Sequence, residues 1–187
     1  MMELERSIQE IIAELRKRER AQDELLRETR EIVRGCSVCI KHIHAGEIKE
    51  AEKKLAEVER VLKRASRISG GFEHILATPR QEYAEAKVLL LLIQGKRVPD
   101  FKKLGVPFES YLLGLLDCVG ELRREMLEAL KRGDRQKAER MFELMNGIYE
   151  AVLPIRFSES LLPGFRRKQD VARAQVEQAR SELLRHG

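Results

Sequence analysis

Apolar residues return along the first quarter of the chain in alternating steps of four and three. Leu4, Ile8, Ile11, Leu15, Leu25, Ile32, Cys36, Cys39 and Ile43 fall on one such series, with Arg18, Gln22 and Thr29 filling its remaining places. The pattern predicts a single helix of about forty residues. A helix that long outruns what one small domain covers, so part of its stripe is expected to meet other subunits. Lys41 and His42 suit its last turn and Gly46 its left-handed cap. Ile48, Ala51, Leu55, Val58, Leu62 and Ala65 then mark a second helix that ends before Gly70-Gly71, closing a hairpin.

Thr78-Pro79-Arg80-Gln81 combines a capping hydroxyl, a proline fit for the first helical position and a glutamine three residues after the cap. A third helix is therefore predicted from Pro79 to Gly95. Lys96 to Val106, with Pro99, reads as a connection, and Pro107 opens a fourth helix lasting to Gly133. Asp134 caps a fifth, with Ala138, Met141, Met145, Ile148 and Val152 inward, stopped by Pro154. Ser158 to Gly164 is irregular, and a last helix is predicted from Phe165 to Leu184 with Val171, Val176, Ala179 and Leu183 on one side.

Composition agrees with this reading. Of 187 residues, 43% are hydrophobic and 36% charged, and 25 Leu, 15 Ala, 26 Glu and 36 Lys plus Arg dominate, the mixture of long helices. The expected fold is all-α, one domain over residues 1–187, a bundle of about six or seven helices. Sparse aromatic and β-branched residues exclude a sandwich or a doubly wound sheet. The longest apolar run, Val88 to Ile93, is far too short to span a bilayer, and no secretory signal is visible, so no membrane role is expected. Three cysteines, an odd number, favour a reducing, cytoplasmic setting. A net charge of +5 leans only mildly toward polyanions.

The candidate chemistry is acidic. Glu82 and Glu85 share one face of the third helix just ahead of its most apolar stretch, and Asp117 and Glu121 share a face of the fourth. Gly114 and Gly120 lie beside that second face, where another backbone or a ligand can approach. If the two helices pack together, four carboxylates converge and their repulsion needs relief. Either nearby arginines such as Arg80, Arg123 or Arg124 form structural ion pairs with them, or a divalent cation, Mg²⁺ or Mn²⁺, binds them and supports phosphodiester hydrolysis. Arg16, Arg20, Arg27, Arg30 and Arg34 line one side of the first helix and Arg166-Arg167-Lys168 opens the last; both suit phosphate contacts, although Glu24, Glu28 and Glu31 interleave with the former as ion-pair partners. Cys36-x-x-Cys39 with His42 and His44 lacks the convergence a zinc site needs, because the cysteines point into the seam and the histidines elsewhere; buried, inert thiols are expected.

The stretch from Gly105 to Arg124, GVPFESYLLGLLDCVGELRR, resembles the signature of the translin family, as do Gln81-Glu-Tyr-Ala-Glu-Ala86 and Pro163-Gly-Phe-Arg-Arg-Lys-Gln-Asp170. Within that family the likeness is closest to translin-associated factor X, the catalytic-type subunit, whose Glu-x-x-Glu and Asp-x-x-x-Glu pairs match Glu82, Glu85, Asp117 and Glu121. The resemblance implies a Mg²⁺-dependent endoribonuclease with those four residues as its catalytic acids; they are expected to bind the metal, and one of them, Glu85 or Glu121, to take a proton from the attacking water as well. It also implies a closed, roughly octameric shell that holds RNA, with a non-catalytic scaffold for RNA or single-stranded DNA as the alternative. A short link between the third and fourth helices favours a self-assembling homo-oligomer. Arg27, Arg30 and Arg34, beyond the middle of the first helix, are the expected phosphate contacts.

Overall fold

Helix α1 runs unbroken from Met2 to His44, 43 residues, in a computed structural model that describes residues 2–185. Residue 1 and residues 186–187 of the expected domain lie outside the described residues. Only the second half of the α1 stripe is covered: Leu25, Thr29, Ile32, Cys36, Cys39, Ile40 and Ile43 are buried, whereas Leu4, Ile8, Ile11 and Leu15 are 45–63% exposed. Gly46, with φ of 77°, turns the chain back into α2 (Ile48–Ile68), whose buried face is Ala51, Leu55, Val58, Val61, Leu62 and Ala65. Gly35 permits the hairpin to close, since a Cβ there would lie 2.4 Å from Val58 Cγ2.

The start of the third helix differs from expectation. A one-turn 3₁₀ segment, Glu73–Leu76, leads straight into α3 (Ala77–Ile93), so Thr78 is already helical and no side chain caps the end. The preceding turn makes a capping hydroxyl unnecessary, while Pro79 stays within the first turn, where its missing N–H costs nothing. The expected connection at Lys96 to Val106 also contains one helical turn, α4 (Phe101–Leu104). Asp100 caps it by accepting the Lys103 N–H at 2.9 Å, and Gly105 ends it at φ of 74°. One turn is too short to register as periodicity.

Helices α5 (Phe108–Lys131), α6 (Arg135–Val152) and α7 (Phe165–Arg185) follow close to their expected limits, and the Asp134 carboxylate caps α6 by accepting the Lys137 N–H at 3.0 Å. Seven helices and no strand are present among the described residues. Helix α3 lies between the α1–α2 hairpin and α5, and α5 carries α6 and α7 on its other side. That central place explains why α3 is apolar on almost every face, with Tyr83, Ala84, Ala86, Val88, Leu89 and Leu90 all buried. Leu25, Ile32, Leu89, Leu122, Met126 and Met145 are fully enclosed where the layers meet. No helix among the described residues is long and apolar enough to cross a membrane.

Candidate functional site: an acidic cleft between α3, α5 and α7

The two acidic helices meet at Gly114. A Cβ there would lie 2.8 Å from the Gln81 carbonyl oxygen and 2.9 Å from the Glu85 nitrogen, so the backbones of α5 and α3 are as close as a glycine allows. Ser110 fixes the register by donating to the Ala77 carbonyl at 3.2 Å. In this register Glu82 and Glu85 of α3 and Asp117 and Glu121 of α5 open onto one cleft of about 600 Å³, whose opposite wall is Gly164, Arg167, Lys168, Val171 and Gln175. The second glycine, Gly120, admits the Gln175 side chain, which a Cβ would meet at 3.2 Å.

The four carboxylates are in different electrostatic states. Glu85 is 8% exposed and accepts no hydrogen bond among the described residues. Burial, reinforced by the charges of Asp117, Glu82 and Glu121, pushes its pKa up to about 8. Glu82 is raised by burial and by Asp117, and it too accepts no hydrogen bond among the described residues. Asp117 is engaged at both oxygens: Gln81 donates Nε2 to Oδ2 at 2.6 Å, and Lys168 donates its ammonium to Oδ1. Glu121 Oε2 accepts from His44 Nε2 at 2.5 Å, a hydrogen bond that holds its carboxyl below the usual range.

His44 extends this last contact into a buried chain of alternating charge. Its Nδ1 reaches Glu125 Oε1 at 2.7 Å, and Glu125 Oε2 accepts from Lys137 at 2.7 Å. Both ring nitrogens face carboxylates, so both donate and the ring is an imidazolium. Burial works against that charge, but the hydrogen bonds to Glu121 and Glu125 outweigh it and push the pKa up to about 9. Glu125 is itself pushed up by burial, yet His44 and Lys137 hold it low.

All four acids named from the sequence thus share one cleft, but the expected arginine partners are mostly elsewhere. Arg80 pairs with Glu73 at 2.8 Å, Arg123 pairs with Glu182, and Arg124 only approaches Glu121, at 3.9 Å. Lys168 and His44 take their place. They stand 51 and 77 residues from the carboxylates they bind, a separation at which no local spacing reports a contact. Arg27, Arg30 and Arg34 lie exposed on α1, outside the cleft. Their expected ion pairing with the interleaved acids is corrected by the structure: Arg64 of α2 takes Glu28 at 2.6 Å and approaches Glu31 at 4.0 Å, which leaves the three arginines unpaired among the described residues. Cys36 and Cys39 are buried in the seam as their spacing with Ile43 requires, and Cys118 is buried in α5.

Among the described residues no three His, Cys, Asp or Glu side chains are close enough together to form a finished metal cage. The donor chemistry nonetheless suits a hard cation. Four carboxylates face one cleft, two of them accept no hydrogen bond, and one of those two, Glu85, is nine-tenths buried.

An all-helical fold with a half-exposed N-terminal helix and an acidic cleft between its central helices defines the class. Residues 1–181 match the translin family, and the chain belongs to it. It is 34% identical over 178 residues to the uncharacterized protein MJ0175 of Methanocaldococcus jannaschii, covering 93% of this chain and 80% of that one. Its fold is similar to that of a structure described as an AfC3PO–duplex RNA complex, with a TM-score of 0.88 and 33% identity over 96% of this chain and 95% of the other. The crystal structure of AfC3PO gives 0.87 and 34%, covering 96% of each chain. Apo-NeC3PO, at 22% identity and a TM-score of 0.87 over 96% of this chain and 97% of the other, shares the fold.

Proposed function

We propose that this chain is a metal-dependent endoribonuclease, of the translin-associated factor X type within its family, that works as a homo-octameric shell. The observation that carries the reading is the convergence of Glu82, Glu85, Asp117 and Glu121 on one cleft, with Glu85 buried and accepting no hydrogen bond among the described residues. A relative of similar fold is described in complex with duplex RNA, which supports RNA as the ligand. Leu4, Ile8, Ile11 and Leu15, an apolar stripe that the described residues of its own subunit leave 45–63% exposed, support assembly.

In this reading the four carboxylates would hold Mg²⁺ or Mn²⁺, which when bound would supply Lewis-acid charge and a water of lowered pKa. Glu82 would offer both oxygens and Glu85 one, since neither side chain accepts a hydrogen bond among the described residues. Glu121 would be left with Oε1 for the cation, because His44 occupies Oε2 and keeps the side chain in one orientation. The other oxygen of Glu85 would take the proton of the attacking water, the charge of the bound cation keeping that carboxyl ionised against the burial that raises its pKa. Arg27, Arg30 and Arg34 hold the RNA backbone by charge, with little sequence preference. Charge reversal of these three is expected to lower RNA affinity and flatten its salt dependence together; unchanged binding would remove them from the interface.

The deciding experiment is cleavage of end-labelled single-stranded and duplex RNA by the wild type and by Asp117→Asn, each in Mg²⁺ and in EDTA. Loss of cleavage in EDTA and in the variant, with the variant folded and assembled, is the expected result. The second reading, a scaffold that binds RNA or single-stranded DNA without cutting, is favoured by the ion pairs that already satisfy Asp117 and Glu121. Salt-sensitive binding with no cleavage in any divalent metal would establish it instead.

A further inference from the structure

The acidic cleft brings its own cation. Lys168 lies in the first turn of α7 and reaches across to Asp117 Oδ1, while Gln81 occupies Oδ2 from the α3 side at 2.6 Å. Asp117 therefore has both oxygens engaged by the chain itself. The Lys168 side chain is about a third exposed, at 32%, and lines the open cleft, so its flexible stem can carry the ammonium off the carboxylate. On the same wall Arg167 makes no ion pair among the described residues, although it faces a cleft with four acids.

A side-chain ammonium and a divalent cation repel strongly at contact distance, and they compete for the same carboxylate charge. We propose that Lys168 is a tethered counter-ion with two positions: paired to Asp117 when the cleft is metal-free, and released beside Arg167 to receive phosphate oxygens of the RNA when a divalent cation takes over the charge of Asp117. The inference rests on reading the cleft as a metal-dependent nuclease site. It makes metal loading and phosphate binding cooperative, since each favours the released lysine. It also gives a function to the basic start of α7, whose wall faces the four acids.

Mn²⁺ binding to the RNA-free, full-length protein, read from the loss of the free-ion electron paramagnetic resonance signal, tests the exchange directly. Lys168→Met is expected to bind Mn²⁺ roughly two- to tenfold more tightly than the wild type, the range set by removing one partly exposed ion pair. At saturating Mn²⁺ the same variant is expected to cleave RNA more slowly, because the phosphate ligand has gone. Lys168→Arg keeps the charge and is expected to stay near the wild type in both measurements. A structural lysine would move metal affinity and turnover down together. Mn²⁺ affinity in Lys168→Met equal to or weaker than that of the wild type overturns the exchange, and tighter Mn²⁺ with undiminished turnover overturns the phosphate role. Failure of all three proteins to bind Mn²⁺ would instead remove the metal reading on which both stand.

Discussion

His44 joins two carboxylates from a helix that contributes nothing else to the cleft. Its pKa in the fold, about 9, lies above its ordinary value of 6.5, so the native state binds the proton more tightly than the unfolded chain. The resulting stabilisation is fully present below pH 6.5 and is lost as the pH rises through about 9. In EDTA, the difference in Tm between the wild type and His44→Gln is therefore expected to be largest at pH 6 and to shrink toward pH 9.5. A constant difference would mean that the ring is neutral in the fold. At this scale the sequence was legible only in part. Glu82, Glu85, Asp117 and Glu121 stood out because each pair repeats along one helix face and Asp117 is a lone charge in an apolar stretch. Lys168 was legible only as part of the basic Arg166-Arg167-Lys168 run and His44 only as a histidine near the end of α1; their pairing with Asp117 and Glu121 was not, because it depends on the packing of α1 and α7 on α5, and that packing leaves no local pattern.

Among the elements, α3 and α5 carry the site, and Gly114 sets their distance. A methyl group there meets backbone atoms on α3 at 2.8–2.9 Å, and backbone cannot swing aside as a flexible side chain can. Gly114→Ala is expected to cost about 1–3 kcal/mol of stability by urea unfolding and to separate the carboxylate pairs enough to abolish cleavage. Gly120→Ala, which meets only the end of Gln175, is expected to be nearly neutral in the same assay. Most helix limits were readable from apolar periodicity and from proline, aspartate and glycine punctuation. The exceptions have local causes. The 3₁₀ turn at Glu73–Leu76 displaces the start of α3 from its capping signal, and α4 is a single turn whose Asp100 cap and Gly105 stop frame too few residues to show a period.

For the whole molecule, the length of α1 was the most informative signal in the sequence, and the structure gives it a division of labour. From Leu25 onward it belongs to the core; before that, the described residues leave its apolar stripe about half exposed. Ile11→Lys combined with Leu15→Lys is expected to leave the unfolding temperature of the isolated subunit unchanged and to reduce the particle mass measured by light scattering. An unchanged mass would place the subunit contacts elsewhere. The unpaired Arg27, Arg30 and Arg34 lie just past this stripe, so one helix carries both the candidate assembly surface and the candidate backbone contacts.

The central burial of α3 also makes the two walls of the cleft unequal in time. Tyr83 to Leu90 lie at the middle of the layers and can exchange their amide hydrogens only when much of the molecule opens. The first turn of α7, bearing Arg166, Arg167 and Lys168, rests at the surface after an irregular stretch. Amide exchange is therefore expected to be slowest at residues 83–90 and faster by orders of magnitude at residues 165–168. The carboxylates of α3 would then hold still while the basic wall adjusts around whatever lies between them.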